Sequence, residues 1–159
     1  MKTNIFIVAL LLCSFGCTSK QKERLSKQEE EQIKKEIIAT DDSIMIRLDK
    51  FDVEGALKFY LPNFVAFGSE GEKYSLEQLR KSYLNFYASA ASYKWTNYNI
   101  DFLSITKEKV IISQDAKNEW VMKTGNKGTY DPSHYTFGFE KTSSGWKLFY
   151  HHFSGTFIK

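Results

Sequence analysis

Beyond residue 17 the chain has no cysteine, because its two cysteines are Cys13 and Cys17. An internal disulfide or a cysteine-held zinc is therefore excluded from the body of the protein, which must be held by its core alone. A strong excess of one charge is lacking too. Without residues 1–16, which hold Lys2 and no acid, 21 basic side chains face 19 acidic ones. That balance gives no electrostatic footprint for nucleic acid, and no nucleic-acid partner is expected. Long apolar runs are missing, since the stretch from Ile5 to Leu12 is too short to span a bilayer as a helix. There is also no glycine loop to cradle phosphate, no zinc-binding His/Glu helix and no serine nucleophile elbow. What the chain does have is rings: 13 Phe, 9 Tyr and 3 Trp. Large rings bury much area each, so 159 residues, about one domain, suffice for a core.

The segment MKTNIFIVALLLCSFGC places Lys2 before the apolar run, then small residues and Cys17. This order fits a secretory signal. Followed by Thr18-Ser19-Lys20, it resembles a bacterial lipoprotein precursor, with Ser14 where leucine is usual. That resemblance implies cleavage before Cys17 and a lipid on it; the alternative is a plain signal peptide. Residues 1–16 are thus expected as a signal peptide and 17–32 as a charged helical stalk. In the stalk Glu23/Lys27, Glu30/Lys34 and Glu31/Lys35 place acid four residues before base, the favourable helical order. The expected location is outside the cytoplasm, lipid-anchored to a membrane.

From residue 33 the pattern is amphipathic: Ile33, Ile37, Ile44, Leu48 and Phe51 share one helical arc. Asp52 reads as the N-cap of a short helix, DVEGALKFYL, ended by Pro62, and Phe64–Gly68 as an extended piece. Ser75 and Gln78 form a capping box that opens a third helix over 76–90. The period then becomes two, which predicts strands over 98–105, 110–122, 134–141 and 146–157, with irregular pairing near Pro132. Helices first and antiparallel strands after is an α+β order.

In the last hairpin, a turn centred on Ser143–Ser144 sets Tyr135 opposite His152, Phe137 opposite Tyr150 and Phe139 opposite Leu148. One face then carries Tyr135, Phe137, Phe139, Trp146, Leu148, Tyr150 and His152, and should turn toward the helices. The other carries Lys147, Phe149, His151 and Phe153, an aromatic stripe expected at a homodimer surface.

The ending GWKLFYHHFSG, residues 145–155, resembles the closing strand of the nuclear-transport-factor-2-like superfamily, which includes SnoaL-like cyclases and the association domain of calmodulin-dependent kinase. Trp146, Leu148, His152, Ser154 and Gly155 match that strand, whereas Tyr150 stands where the first of two histidines is common. The resemblance implies, for residues 33–159, a cone-shaped curved antiparallel sheet wrapped around a long N-terminal helix, with two further helices. It also implies a cavity at the open end of the cone and dimerisation through the convex face.

Two residues could carry chemistry. His152, on the inferred concave face, could move a proton or could be held structurally by Tyr135, Tyr150 or the backbone. Asp41 falls inside the apolar arc of the first helix, where burial would raise its pKa; alternatively it caps a helix break at Thr40–Ser43. Tyr60, Phe64, Phe67, Trp120, Tyr135, Tyr150 and His152 are expected to line a pocket. No cofactor is expected, and no metal either, because His134 and His151 are assigned to the face opposite His152. The first expectation is a tethered domain that binds a small apolar or aromatic molecule. The alternatives are a cofactor-independent isomerase, cyclase or hydratase using Asp41 and His152, and a dimeric scaffold with a filled pocket.

Overall fold

Ser26 starts the first helix: its hydroxyl accepts from the backbone N–H of Glu29, whose carboxylate accepts in turn from the Ser26 backbone. The computed structural model describes residues 24–158. The expected signal, Cys17 and the stalk up to residue 23 lie outside the described residues. Helix α1 runs over Lys27–Asp49, so residues 27–32 are helical, as expected of the stalk, and run on without a break into the helix from residue 33. Lys34 bridges Glu30 at 2.7 Å and Glu31 at 2.9 Å along its exposed side. Ile37, Ile44, Met45 and Leu48 are buried on the other side. Among the described residues no helix is long and apolar enough to cross a membrane.

Phe51 lies past the helix end rather than within it, in the left-handed region at φ 62°. Its ring is seated 4.7 Å from that of Tyr87. Asp52 then caps α2 (Val53–Leu57), accepting from the Gly55 N–H at 2.9 Å. The expected continuation of α2 to Leu61 does not form, because strand β1 (Tyr60–Phe67) already begins at Tyr60. β1 includes Pro62, which has no N–H to give a ladder, and its register against β6, the last strand of the chain (Gly145–Ile158), breaks between Tyr60 and Val65. A short β2 (Lys73–Ser75) leads into α3 (Leu76–Ser89), whose Ser75/Gln78 capping box is present.

Three more long strands precede β6: β3 (Ala90–Ile105), β4 (Lys109–Met122) and β5 (Lys127–Thr142). β3 begins eight residues earlier than the alternation predicted. The sheet order is β2-β1-β6-β5-β4-β3. It is α+β as expected, but mixed rather than wholly antiparallel, since β1 and β6 run parallel. The curved sheet packs its inner face on α1 and α3, with Phe64, Phe137, Phe139, Ile112 and Leu148 among its most buried side chains. Irregular pairing near Pro132 is present: register shifts fall between Ala116 and Asn118 on β4 and between Tyr130 and Ser133 on β5.

The β5–β6 register departs from expectation partway along. Phe139 pairs with Leu148 as predicted, but Gly138 pairs with Tyr150, so Phe149 is an extra residue with no partner. This bulge moves every later pair by one: Phe137 faces His151, Thr136 faces His152 and Tyr135 faces Phe153. A one-residue slip exchanges the two faces. His151 and Phe153 therefore point inward, and Tyr150 and His152 lie on the outer face, the reverse of the sequence reading. Gly138 makes room for the bulge, as a Cβ there would sit 2.7 Å from Phe149 Cζ.

Candidate functional site

Between the inner face of the sheet, α1 and α3 lies a cavity of about 470 Å³. Each element sends apolar or aromatic side chains into it by its own period. On α3, Leu79, Tyr83, Phe86 and Tyr87 recur at three- and four-residue spacing and so share one face. On β3, Tyr93 and Trp95 alternate inward, and on β5 Tyr135 and Phe137 do the same. α1 contributes Met45 and Leu48. Several of the rings pack edge to face or tilted: Phe86 lies 5.9 Å from Tyr93 and 6.1 Å from Trp120, and Trp95 lies 4.7 Å from Tyr135; Tyr135 and Phe137 are stacked at 5.4 Å. Exposed Ser69, Glu72 and Ser82 mark the opening, and Glu72 is the one carboxylate among the described lining residues.

The polar content of the wall is small and mostly satisfied. Asn118, inward on β4 and 3 % exposed, donates to the Tyr135 hydroxyl at 2.6 Å and to Ser133 Oγ at 3.1 Å. It accepts from the Tyr93 hydroxyl at 3.2 Å. Burial pushes the phenols of Tyr60, Tyr87, Tyr93 and Tyr135 up, and that of Tyr83 up to about 12, so they stay neutral. His151 is the exception to satisfaction. It lines the cavity, is 9 % exposed, and neither ring nitrogen has a hydrogen-bond partner among the described residues. Burial, with His152 alongside, pushes its pKa down to about 4, so the imidazole is neutral.

Asp41 is not among the residues that line the cavity. α1 passes unbroken through Thr40–Ser43, so Asp41 caps no helix break, and its side chain is fully buried. Gln114 Nε2 donates to Asp41 Oδ2 at 2.7 Å and to Asn97 Oδ1 at 2.8 Å. Asn97 Oδ1 also accepts from the Trp95 indole, which links the buried acid to a ring of the cavity wall. Burial raises the Asp41 pKa to about 7, with Gln114 opposing and Asp42 adding to the shift.

Of the seven residues expected to line a pocket, Tyr60, Phe67, Trp120 and Tyr135 do line this cavity. Phe64 is packed in the core beside Tyr60, at 4.8 Å between ring centres. Tyr150 and His152 are on the outer face because of the bulge. Consequently Asp41 and His152 do not come together. Of the four residues assigned to a dimer surface, His151 and Phe153 line the cavity instead. Lys147 and Phe149 are on the outer face, where Lys147 bonds the Lys58 carbonyl and Lys109 sits 5.1 Å over the Phe149 ring. Gln114 and Asn118 were not singled out from sequence, although both break an otherwise apolar inward row on β4, Val110-Ile112-Gln114-Ala116-Asn118. Tyr83, Tyr87 and Tyr93 were also missed, and the four-residue step from Tyr83 to Tyr87 was the available signal.

Solved structures with this architecture are numerous, and all those below share under 25% identity, which speaks to fold alone. A candidate scytalone dehydratase from Novosphingobium aromaticivorans superposes with a TM-score of 0.74 at 11% identity, over 80% of this chain and 86% of its own. A hexachlorocyclohexane dehydrochlorinase from Novosphingobium barchaimii gives 0.71 at 16%, over 84% and 93%. A nuclear transport factor 2-like protein from Salmonella enterica gives 0.68 at 16%, over 82% and 94%. No curated protein matches by sequence. The family model for the SnoaL-like domain matches residues 37–158, nearly the whole described structure, and the chain belongs to that family.

Proposed function

We infer that this domain holds a small, flat, apolar or aromatic molecule inside its cone, and does so outside the cytoplasm on a lipid anchor at Cys17. The observation that carries the binding reading is the cavity itself: about 470 Å³, walled by aromatic rings from α3, β3, β4 and β5, with one carboxylate at its opening. A concave, mostly apolar site with a few placed polar groups is the usual form of a small-molecule pocket. Support for export and tethering comes from the residue order around Cys17.

Catalysis is not assigned. The expected proton-moving pair is split, with His152 on the outer face of the sheet and Asp41 beneath its inner face. The test is calorimetric titration of the protein with 2-naphthol, a flat two-ring guest. Saturable binding at one guest per chain is the expected outcome, and heat indistinguishable from dilution would refute the reading.

A further inference from the structure

We propose that His151 is the residue that selects the guest, by hydrogen bonding a neutral hydroxyl carried on a flat ring. This rests on the cavity being a small-molecule site, and it adds what that molecule must present.

Aromatic rings surround the imidazole. Its nearest rings are Phe137 at 5.2 Å, Tyr135 at 5.5 Å and Phe64 at 6.4 Å. The Tyr135 hydroxyl is already engaged by Asn118 at 2.6 Å. Both imidazole nitrogens are buried with no partner among the described residues. A neutral imidazole carries one donor and one acceptor. Buried polar groups are nearly always paired, and leaving one unmet is costly. Asn118 takes Tyr93, Tyr135 and Ser133, and Gln114 spans Asp41 and Asn97, although Asp41 Oδ1 and Gln114 Oε1 stay unmet away from the cavity lining. His151 lines the cavity, but its nitrogens present almost no surface to it, so a guest hydroxyl meets them when the imidazole turns toward that space.

The class of partner follows from the rest of the wall. Neither lysine nor arginine is among the described lining residues, so a carboxylate guest would be buried without a counter-charge. An ammonium would meet its only carboxylate, Glu72, at the exposed end and not beside His151. A neutral hydroxyl can donate to the bare ring nitrogen or accept from the protonated one, with no charge to desolvate. The aromatic wall requires that the hydroxyl sit on something flat and apolar, as in a phenol, a naphthol or an enol.

The experiment compares 2-naphthol with 2-methylnaphthalene, which keeps the shape and replaces hydroxyl by methyl, on the full chain and on its His151→Phe variant. The expected result is a dissociation constant for 2-naphthol about five- to tenfold weaker in the variant, with 2-methylnaphthalene changed less than about twofold. An equal change for both compounds, or none for either, overturns the role of His151 while leaving the cavity reading intact. Failure of both compounds to bind the unaltered protein overturns the cavity reading, and this inference with it. Should the variant not fold, the unaltered protein still decides. With histidine ring nitrogens labelled, 2-naphthol should shift those of His151 and 2-methylnaphthalene should not. Unmoved nitrogens with naphthol bound would contradict the inference.

Discussion

Replacing Asp41 by asparagine should reshape the pH dependence of stability. The carboxyl group is fully buried, and burial raises its pKa from 3.8 to about 7. The sign follows from proton counting: a folded state that binds the proton more tightly than the unfolded chain is favoured when the proton is on. The stability is therefore complete below about pH 4 and is lost as pH rises through about 7. With these two pKa values, the loss is about 2 kcal/mol at about pH 5 and about 4 kcal/mol at about pH 9. The local hydrogen bonds agree with a neutral acid. Asp41 Oδ1 and Gln114 Oε1 are both buried acceptors with no donor, and a proton on Asp41 supplies one. The asparagine variant would carry no charge at this position at any of these pH values. Its stability relative to the original should thus rise by about 2–3 kcal/mol between about pH 5 and about pH 9. Urea unfolding at a series of pH values measures this directly. Parallel curves for the two proteins would show that Asp41 is ionised at little cost, and would refute the account of its burial.

Two further changes probe the frame around the cavity. Gly138→Val should destabilise by about 1–3 kcal/mol, since its Cβ would meet Phe149 Cζ at 2.7 Å; an unchanged thermal midpoint would mean the bulge does not need that gap. Glu36 accepts from Lys141 Nζ at 2.5 Å and from the Trp146 indole at 2.8 Å, and chiefly through Lys141 its pKa is held down to about 2. That contribution is present above about pH 4.5 and lost as pH falls toward 2. Glu36→Gln should therefore cost about 1 kcal/mol at neutral pH, after discounting for an exposed pair, and nothing near pH 2. An equal cost at both pH values would assign the effect to shape and not to charge.

Much of this fold was legible because its local signals agree with its packing. Asp52 and the Ser75/Gln78 box cap the helices they were expected to cap, and the inward row of β4 keeps a strict two-residue period. The residue order at 145–155 pointed to the right superfamily. The parallel β1–β6 pairing was not legible, because it joins segments roughly 85 residues apart and β1 carries Pro62, a residue that argues against a strand. The candidate site suffered most, and from one residue. A period-two reading has no means of counting an extra residue, so the bulge at Phe149 exchanged His151 with His152. The one local hint was Gly138, an isolated glycine in a strand, which often marks a bulge. Asp41 was readable, as a carboxylate in an apolar arc; its partner Gln114 lies 73 residues away and was not.

Entry of a flat guest into the cone can be observed directly. The chain's three tryptophans provide the test, because Trp95 and Trp120 line the cavity while Trp146 is bonded to Glu36 outside it. Their indole N–H signals can be followed by nuclear magnetic resonance as 2-naphthol is added. Saturable shifts are expected at Trp95 and Trp120, with Trp146 unmoved. Shifts at Trp146 alone, or all three signals unmoved at concentrations where naphthol is in large excess, would contradict entry into the cone.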